Sequence, residues 1–174
     1  ILSIRSSAAT KKRGILGVLN KFIFGKANKI IGLSKGVSNE IINNYKIDNN
    51  KVDYIYNPIN LNEINKLSNE NISIKDIFND ENFTITNVGR LTDAKGQWHL
   101  IRALSYIREE IKNIKLLILG QGELEYYLKE LVRKLDLNDN VVFLGYQKNP
   151  FKYINKSDLF DIPKIQHYHL KGFF

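Results

Sequence analysis

The chain has no cysteine and no methionine, and only three prolines, one tryptophan and three histidines among its 174 residues. Without thiols it forms no disulfide, thiolate nucleophile or cysteine metal site, which fits a cytosolic protein. Histidine is too sparse for an evident metal centre. His167 and His169 flank Tyr168 near the chain end, but no third ligand of suitable spacing accompanies them, so no metal is expected. No apolar run is long enough to span a membrane. The first residues lack the basic segment and continuous apolar stretch of a signal peptide. No phosphate loop of the Gly-Lys-Ser/Thr type is present, and no stretch is read as a nucleophile elbow.

Negative charge is scarce in one region only. Residues 1–56 hold ten Lys/Arg against three Asp/Glu, whereas residues 57–174 hold sixteen against fifteen. A basic first third fits acidic lipid head groups or nucleic acid. Its charges are dispersed, however, which favours a solubilising or acceptor-side surface. Only Lys11-Lys12-Arg13 is a tight run, too short to indicate nucleic acid. The chain begins at Ile1 and has no methionine at all, so it is expected to be an internal part of a longer protein.

What is present is a regular alternation of strand and helix patterns. Ile-Leu-Ser-Ile-Arg at the start is a scrap of strand. Leu16, Leu19, Phe22 and Ile23 then recur at helical spacing with Lys21 and Lys26 elsewhere on the wheel. That basic amphipathic stripe is read as core-facing, with a membrane surface as the alternative. Residues 29–34 predict a short buried strand ending at Ser34, which can cap a helix carrying Val37, Ile41 and Tyr45. Val52 to Tyr56 alternates as a strand and stops at the turn signal Asn57-Pro58. Residues 58–82, rich in Asn and acidic side chains, read as a linker holding one short helix.

From residue 83 the pattern tightens. Phe83, Ile85 and Val88 mark a buried strand, and Leu100, Leu104, Ile107 and Ile111 a helix. A continuous apolar strand at 115–119 follows, as expected where both faces are covered. Leu124, Leu128, Leu131 and Leu135 predict a second helix, and 141–144 a third strand. A short helix at 151–156 precedes a fourth strand starting at Asp158. The fold class predicted is α/β, a Rossmann-like parallel sheet with flanking helices.

Three of these strands run directly into glycine, at Gly89, Gly120 and Gly145. In an open parallel sheet those carboxyl ends form the ligand crevice, where glycine permits close approach of backbone and ligand. After Gly89 the loop carries Arg90 and Lys95 before Gly96 leads into the helix. A planar fork and a point charge on one short loop suit the two phosphates of a diphosphate; a solvated loop with two surface charges is the alternative. His99 has no paired carboxylate in its helix and is read as structural or exposed rather than as a base. Tyr126 and Tyr127 are read as packing residues.

Val88-Gly89-Arg90-Leu91 followed by Lys95-Gly96 resembles the donor-phosphate loop of the family-four glycosyltransferases, retaining enzymes with the two-domain GT-B fold. The resemblance continues in order through Gly120-Gln121-Gly122-Glu123 and Phe143-Leu144-Gly145-Tyr146. It implies that Gly89, Arg90 and Lys95 bind the donor diphosphate. It also implies that Gly120, Gly122, Gly145 and Tyr146 form donor loops, the loop from Gly145 to Lys148 lying near the base. Residues 1–57 would be the tail end of the N-terminal acceptor-side domain, 58–82 the linker, and 83–174 a partial C-terminal nucleotide-sugar-binding domain. The donor would be a UDP- or GDP-sugar, with no cofactor, and the acceptor a glycan or glycolipid, as in polysaccharide biosynthesis. A cytoplasmic place, peripheral to the inner face of a membrane, goes with it.

The likeness stops near the chain end. Where the family has a serine-rich loop and a pair of glutamates about the donor sugar, this sequence reads Asp161 to Phe174 and holds no glutamate after Glu130. The tail is either native or a shifted reading frame, and weak or absent activity is expected of such a fragment. Nucleotide binding without catalysis, or docking onto another chain, is the alternative function.

Overall fold

The computed structural model describes residues 1–4, 14–72, 78, 79 and 81–161, the side chains of 14–16 excepted. The run Lys11-Lys12-Arg13 and the tail with His167 and His169 lie outside the described residues. The chain divides into two compact units, Ile1–Ile59 and Asn60–Phe174.

In the first unit, strands β1 (Leu2–Ile4), β2 (Ile30–Gly32) and β3 (Val52–Tyr54) form a parallel sheet in that order. Helix α1 (Gly14–Lys26) links the first pair of strands and α2 (Lys35–Tyr45) the second. Ile4, Phe24, Ile30, Ile41, Tyr45 and Val52 make the core, where the Phe24 and Tyr45 rings meet edge to face at 4.8 Å.

The Gly32-Leu33-Ser34-Lys35-Gly36 stretch has the spacing of a nucleophile elbow, and it turns from strand to helix. Its backbone decides otherwise. Ser34 is extended (φ −155°, ψ 162°), and its Oγ accepts the Val37 N–H as the cap of α2.

The stripe expected to face the core from α1 does not. Leu19, Phe22 and Ile23 are exposed, together with Val18, while Phe24 is buried. The helix is turned so that the Phe24 ring, rather than the stripe, reaches Tyr45.

The second unit opens with α3 (Leu61–Ser68), within the stretch read as linker. Asn149 donates to the Leu67 carbonyl, and Asn155 to that of Ser68, so this helix is fastened to the unit that follows. Strands β4 (Phe83–Val88), β5 (Ile114–Leu119), β6 (Val141–Gly145) and β7 (Leu159–Asp161) form a parallel sheet in the order β6-β5-β4-β7. Helices α4 (Gln97–Ile107), α5 (Glu125–Lys134) and α6 (Phe151–Lys156) make the crossovers. The α/β class with parallel sheets and flanking helices is therefore observed.

Strand β5 shows why its sequence is apolar throughout. Ile114, Leu116 and Ile118 face the cluster containing Ile101, Leu104, Leu128 and Val132, whereas Leu117 and Leu119 face Ile72 and Tyr153. Both faces are covered, so the period-two alternation disappears from the composition but survives in the packing.

Helix α4 is rotated from the expected phase. Gln97, Ile101 and Leu104 are buried, while Ile107 and Ile111 are each 39% exposed. The helix ends at Ile107, so Ile111 lies beyond the face to which it was assigned. Tyr126 and Tyr127, expected to pack, stand on the exposed side of α5. The α5 helix already fills its place on the core with Leu128 and Val132.

Candidate functional site

The strand order reverses at β4, with β5 on one side and β7 on the other. Such a reversal, at the carboxyl ends of parallel strands, opens a crevice between diverging loops. A cavity of about 530 Å³ lies at this rim, lined by Gly89, Arg90, Gly120, Gln121, Tyr146 and Lys148 among others. Val88, Leu119 and Pro150 supply apolar wall, and Gln147 completes the loop that follows β6. Its size falls within the usual range of small-molecule sites.

The three loops are tied to one another by their backbones. The Gly89 N–H donates to the Leu119 carbonyl, Leu91 to Gln121, Leu124 to Leu91, and Gly120 to Gly145, at 2.7–3.1 Å. The glycines make that knitting feasible, and their reason differs from the one expected of them. A Cβ on Gly120 would overlap the Gly89 carbonyl, whose carbon lies 2.9 Å away. A Cβ on Gly122 would stand 2.8 Å from both N and C of Leu91. These two glycines admit a neighbouring loop; Gly120 also carries φ +143°. Gly122 does not line the cavity at all. Gly145 needs only its conformation, φ +63°, since a Cβ there meets nothing closer than 3.9 Å. Gly120 and Gly89 both line the cavity, Gly145 does not, and Gly89 faces it without such a clash. A Cβ on Gly89 would be in ordinary contact at 3.6 Å with the Lys95 stem.

Arg90 and Lys95 leave β4 on a loop closed by a short 3₁₀ turn at Asp93–Lys95 and by Gly96 at φ 63°. Arg90 is exposed and lines the cavity; Lys95 reaches the same place through its stem beside Gly89, without being part of the wall. Among the described residues neither cation makes an ion pair or a side-chain hydrogen bond. Two uncompensated positive charges on one rim create an anion-attracting field.

The loop that follows β6 is held from behind. Gln147 Nε2 donates to the Leu144 carbonyl at 2.7 Å, and Tyr153 Oη donates to Gln147 Oε1 at 3.1 Å. Tyr146, left outside this bracing, projects 72% exposed at the cavity edge. His99 stacks on Trp98 with ring centroids 3.4 Å apart and does not line the cavity.

Reading the sequence missed the buried amides. Gln97 and Asn87 are each about 1% exposed or less, and each keeps one oxygen without a partner among the described residues. Asn87 is the penultimate residue of β4 and donates to the Asp161 carbonyl and carboxylate on β7. A polar residue at an otherwise core-facing position is the only signal that marks them.

Comparison with known proteins shows the family and the fold. The family model for glycosyl transferases group 1 matches residues 68–171. An uncharacterized glycosyltransferase of Methanocaldococcus jannaschii is 40% identical over 142 residues, 80% of this chain and 35% of the relative. The N-acetylgalactosamine-N,N'-diacetylbacillosaminyl-diphospho-undecaprenol 4-alpha-N-acetylgalactosaminyltransferase of Campylobacter jejuni is 35% identical over 158 residues, 88% of this chain and 41% of the relative. The chain thus spans about two fifths or less of the length of these relatives. Among solved structures, Anabaena HepE in complex with UDP superposes with a TM-score of 0.67 at 22% identity, over 86% of this chain and 42% of that one. The UDP-glucose complex of the same protein gives 0.65 over 91% and 45%. These neighbours share the GT-B fold. From its strand-to-glycine rim, its family match and its relatives, the chain belongs to the group 1 glycosyl transferases.

Proposed function

We propose that the cavity lined by Gly89, Gly120 and Tyr146 binds the nucleotide of a nucleotide-sugar donor, Arg90 and Lys95 taking its diphosphate. The observation that carries this reading is the pair of unpartnered cations on the rim of a glycine-knit cavity. Glycosyl transfer builds negative charge on the departing diphosphate and positive charge on the sugar. Arg90 and Lys95 offset the first. We assign the residues of this rim to the leaving-group side of the transfer; nucleotide binding without transfer is the second reading. A UDP donor is supported by the fold shared with a UDP-binding neighbour, and a lipid-linked glycan acceptor by the Campylobacter relative.

Calorimetric titration tests the site. UDP is expected to bind at least about tenfold more tightly than uridine, since hydrogen bonds to charged groups contribute about 1.5–3 kcal/mol. Equal affinities, or no binding of UDP and GDP alike, would remove the diphosphate assignment.

A peripheral lipid contact belongs to the same proposal. Helix α1 exposes Val18, Leu19, Phe22 and Ile23 next to Lys21 and Lys26, the arrangement of a helix lying on an anionic interface. No helix among the described residues is long and apolar enough to cross a membrane. Co-sedimentation with vesicles rich in anionic lipid should be lost in the Phe22→Ser/Ile23→Ser variant. Retention by that variant at unchanged salt would refute the assignment to α1.

A further inference from the structure

Gln97 is the first residue of α4, 1% exposed, where the packing of Ile101 and Leu104 would favour an apolar side chain. Its Nε2 donates to the Arg90 carbonyl at 3.1 Å. Its Oε1, equally buried, has no partner among the described residues. The amide orientation follows from chemistry: turned over, it would set an oxygen against a carbonyl oxygen. The fold thus keeps an unsatisfied acceptor, a destabilising feature, to place one donor under Arg90.

The surroundings show what that donor holds. A Cβ on Gly89 would be 3.6 Å from Gln97 Nε2 and 3.6 Å from Lys95 Cδ, so amide, glycine and lysine stem adjoin. Leu91 is tied to the neighbouring loop, its N–H donating to Gln121 and its carbonyl accepting from Leu124, and the Arg90 carbonyl also accepts the Thr92 N–H at 3.0 Å within the loop. Among the described residues, Gln97 supplies the side-chain bond that ties the Arg90 peptide to the start of α4.

We infer that Gln97 is a positioning residue for diphosphate binding, fixing the Arg90 peptide so that the guanidinium and the Lys95 ammonium converge on the same anion. The inference rests on the assignment of this loop to the diphosphate. Convergence matters because a bidentate fork loses its advantage when its base swings freely. Gln97 is buried and does not line the cavity, which separates its role from that of the two cations.

Titration of the full chain with UDP and with uridine, the latter followed by saturation-transfer NMR, separates positioning from bulk stability. Gln97→Met keeps the volume and removes the donor. Its UDP affinity should fall about tenfold while uridine affinity and secondary structure stay as in the parent chain. Gln97→Leu, which also removes the donor with an apolar side chain suited to the buried site, should show the same selective loss and serves where the Met variant fails to fold. Unchanged UDP affinity would overturn the inference, and so would a parallel fall in UDP and uridine, the mark of a merely structural residue. If the parent chain itself shows no preference for UDP, the diphosphate assignment fails first. If it does, and Arg90→Ala loses it while Gln97→Met does not, only the positioning role is refuted.

Discussion

Replacing Gly120 by alanine is expected to destabilise the second unit by about 2–6 kcal/mol and to abolish nucleotide binding. Two independent costs combine. The added Cβ overlaps the Gly89 carbonyl, an overpacking cost of about 1–3 kcal/mol where backbone rather than a flexible side chain must yield. The residue also sits at φ +143°, a conformation that costs other residues about 1–3 kcal/mol. The carbonyl it would displace belongs to the residue preceding Arg90, so the relaxation would move the loop that carries Arg90 and Lys95. Gly145→Ala provides the control, with a conformational cost of about 1–2 kcal/mol at φ +63° and open space around the new methyl. Gly89→Ala should leave stability within about 1 kcal/mol, since its φ is ordinary and its contacts are at 3.6 Å. Urea denaturation of the three variants should rank them Gly120, Gly145, Gly89 in order of loss. A Gly120→Ala variant as stable as the parent would mean that the two loops are not in contact.

Removing both cations is the second large effect. The Arg90→Ala/Lys95→Ala variant should bind UDP roughly a hundredfold or more weakly, near the level of uridine. Each charged hydrogen bond contributes about 1.5–3 kcal/mol, and about 1.4 kcal/mol is a factor of ten. Arg90 is exposed, so its share is screened by salt and the parent's UDP affinity should fall as ionic strength rises, while uridine binding does not. Arg90→Lys should recover only part of the loss, because an ammonium cannot reproduce the planar fork. Undiminished UDP affinity in the double variant would place the nucleotide elsewhere on the chain.

Much of this molecule was legible as local pattern. The apolar run of β5, the leucines of α5 and the glycines after β4, β5 and β6 are periodic or contiguous features, and the parallel sheet follows from their alternation. The pairing of Arg90 and Lys95 on one loop was equally legible, since the two are close in sequence between β4 and α4. Where a helix offered two adjacent apolar faces, the pattern misled. In α1 the stripe through Leu19, Phe22 and Ile23 and the position of Phe24 both fit a helical period, and only the ring of Tyr45 selects between them. In α4 the same ambiguity hid Ile101 behind Ile107.

The sequence by itself determined the alternating order of strands and helices, the place of the strand-to-glycine rim and the two cations on it. Period and composition are properties of a few neighbouring residues, and they survive without knowledge of what packs against them. Tertiary structure alone decided that Gly120 and Gly122 make room for a loop some thirty residues earlier, that α1 turns its apolar stripe outward, and that Gln97 braces Arg90. Those are contacts between segments distant along the chain, set by which surfaces meet when the sheet closes, and no local spacing records them.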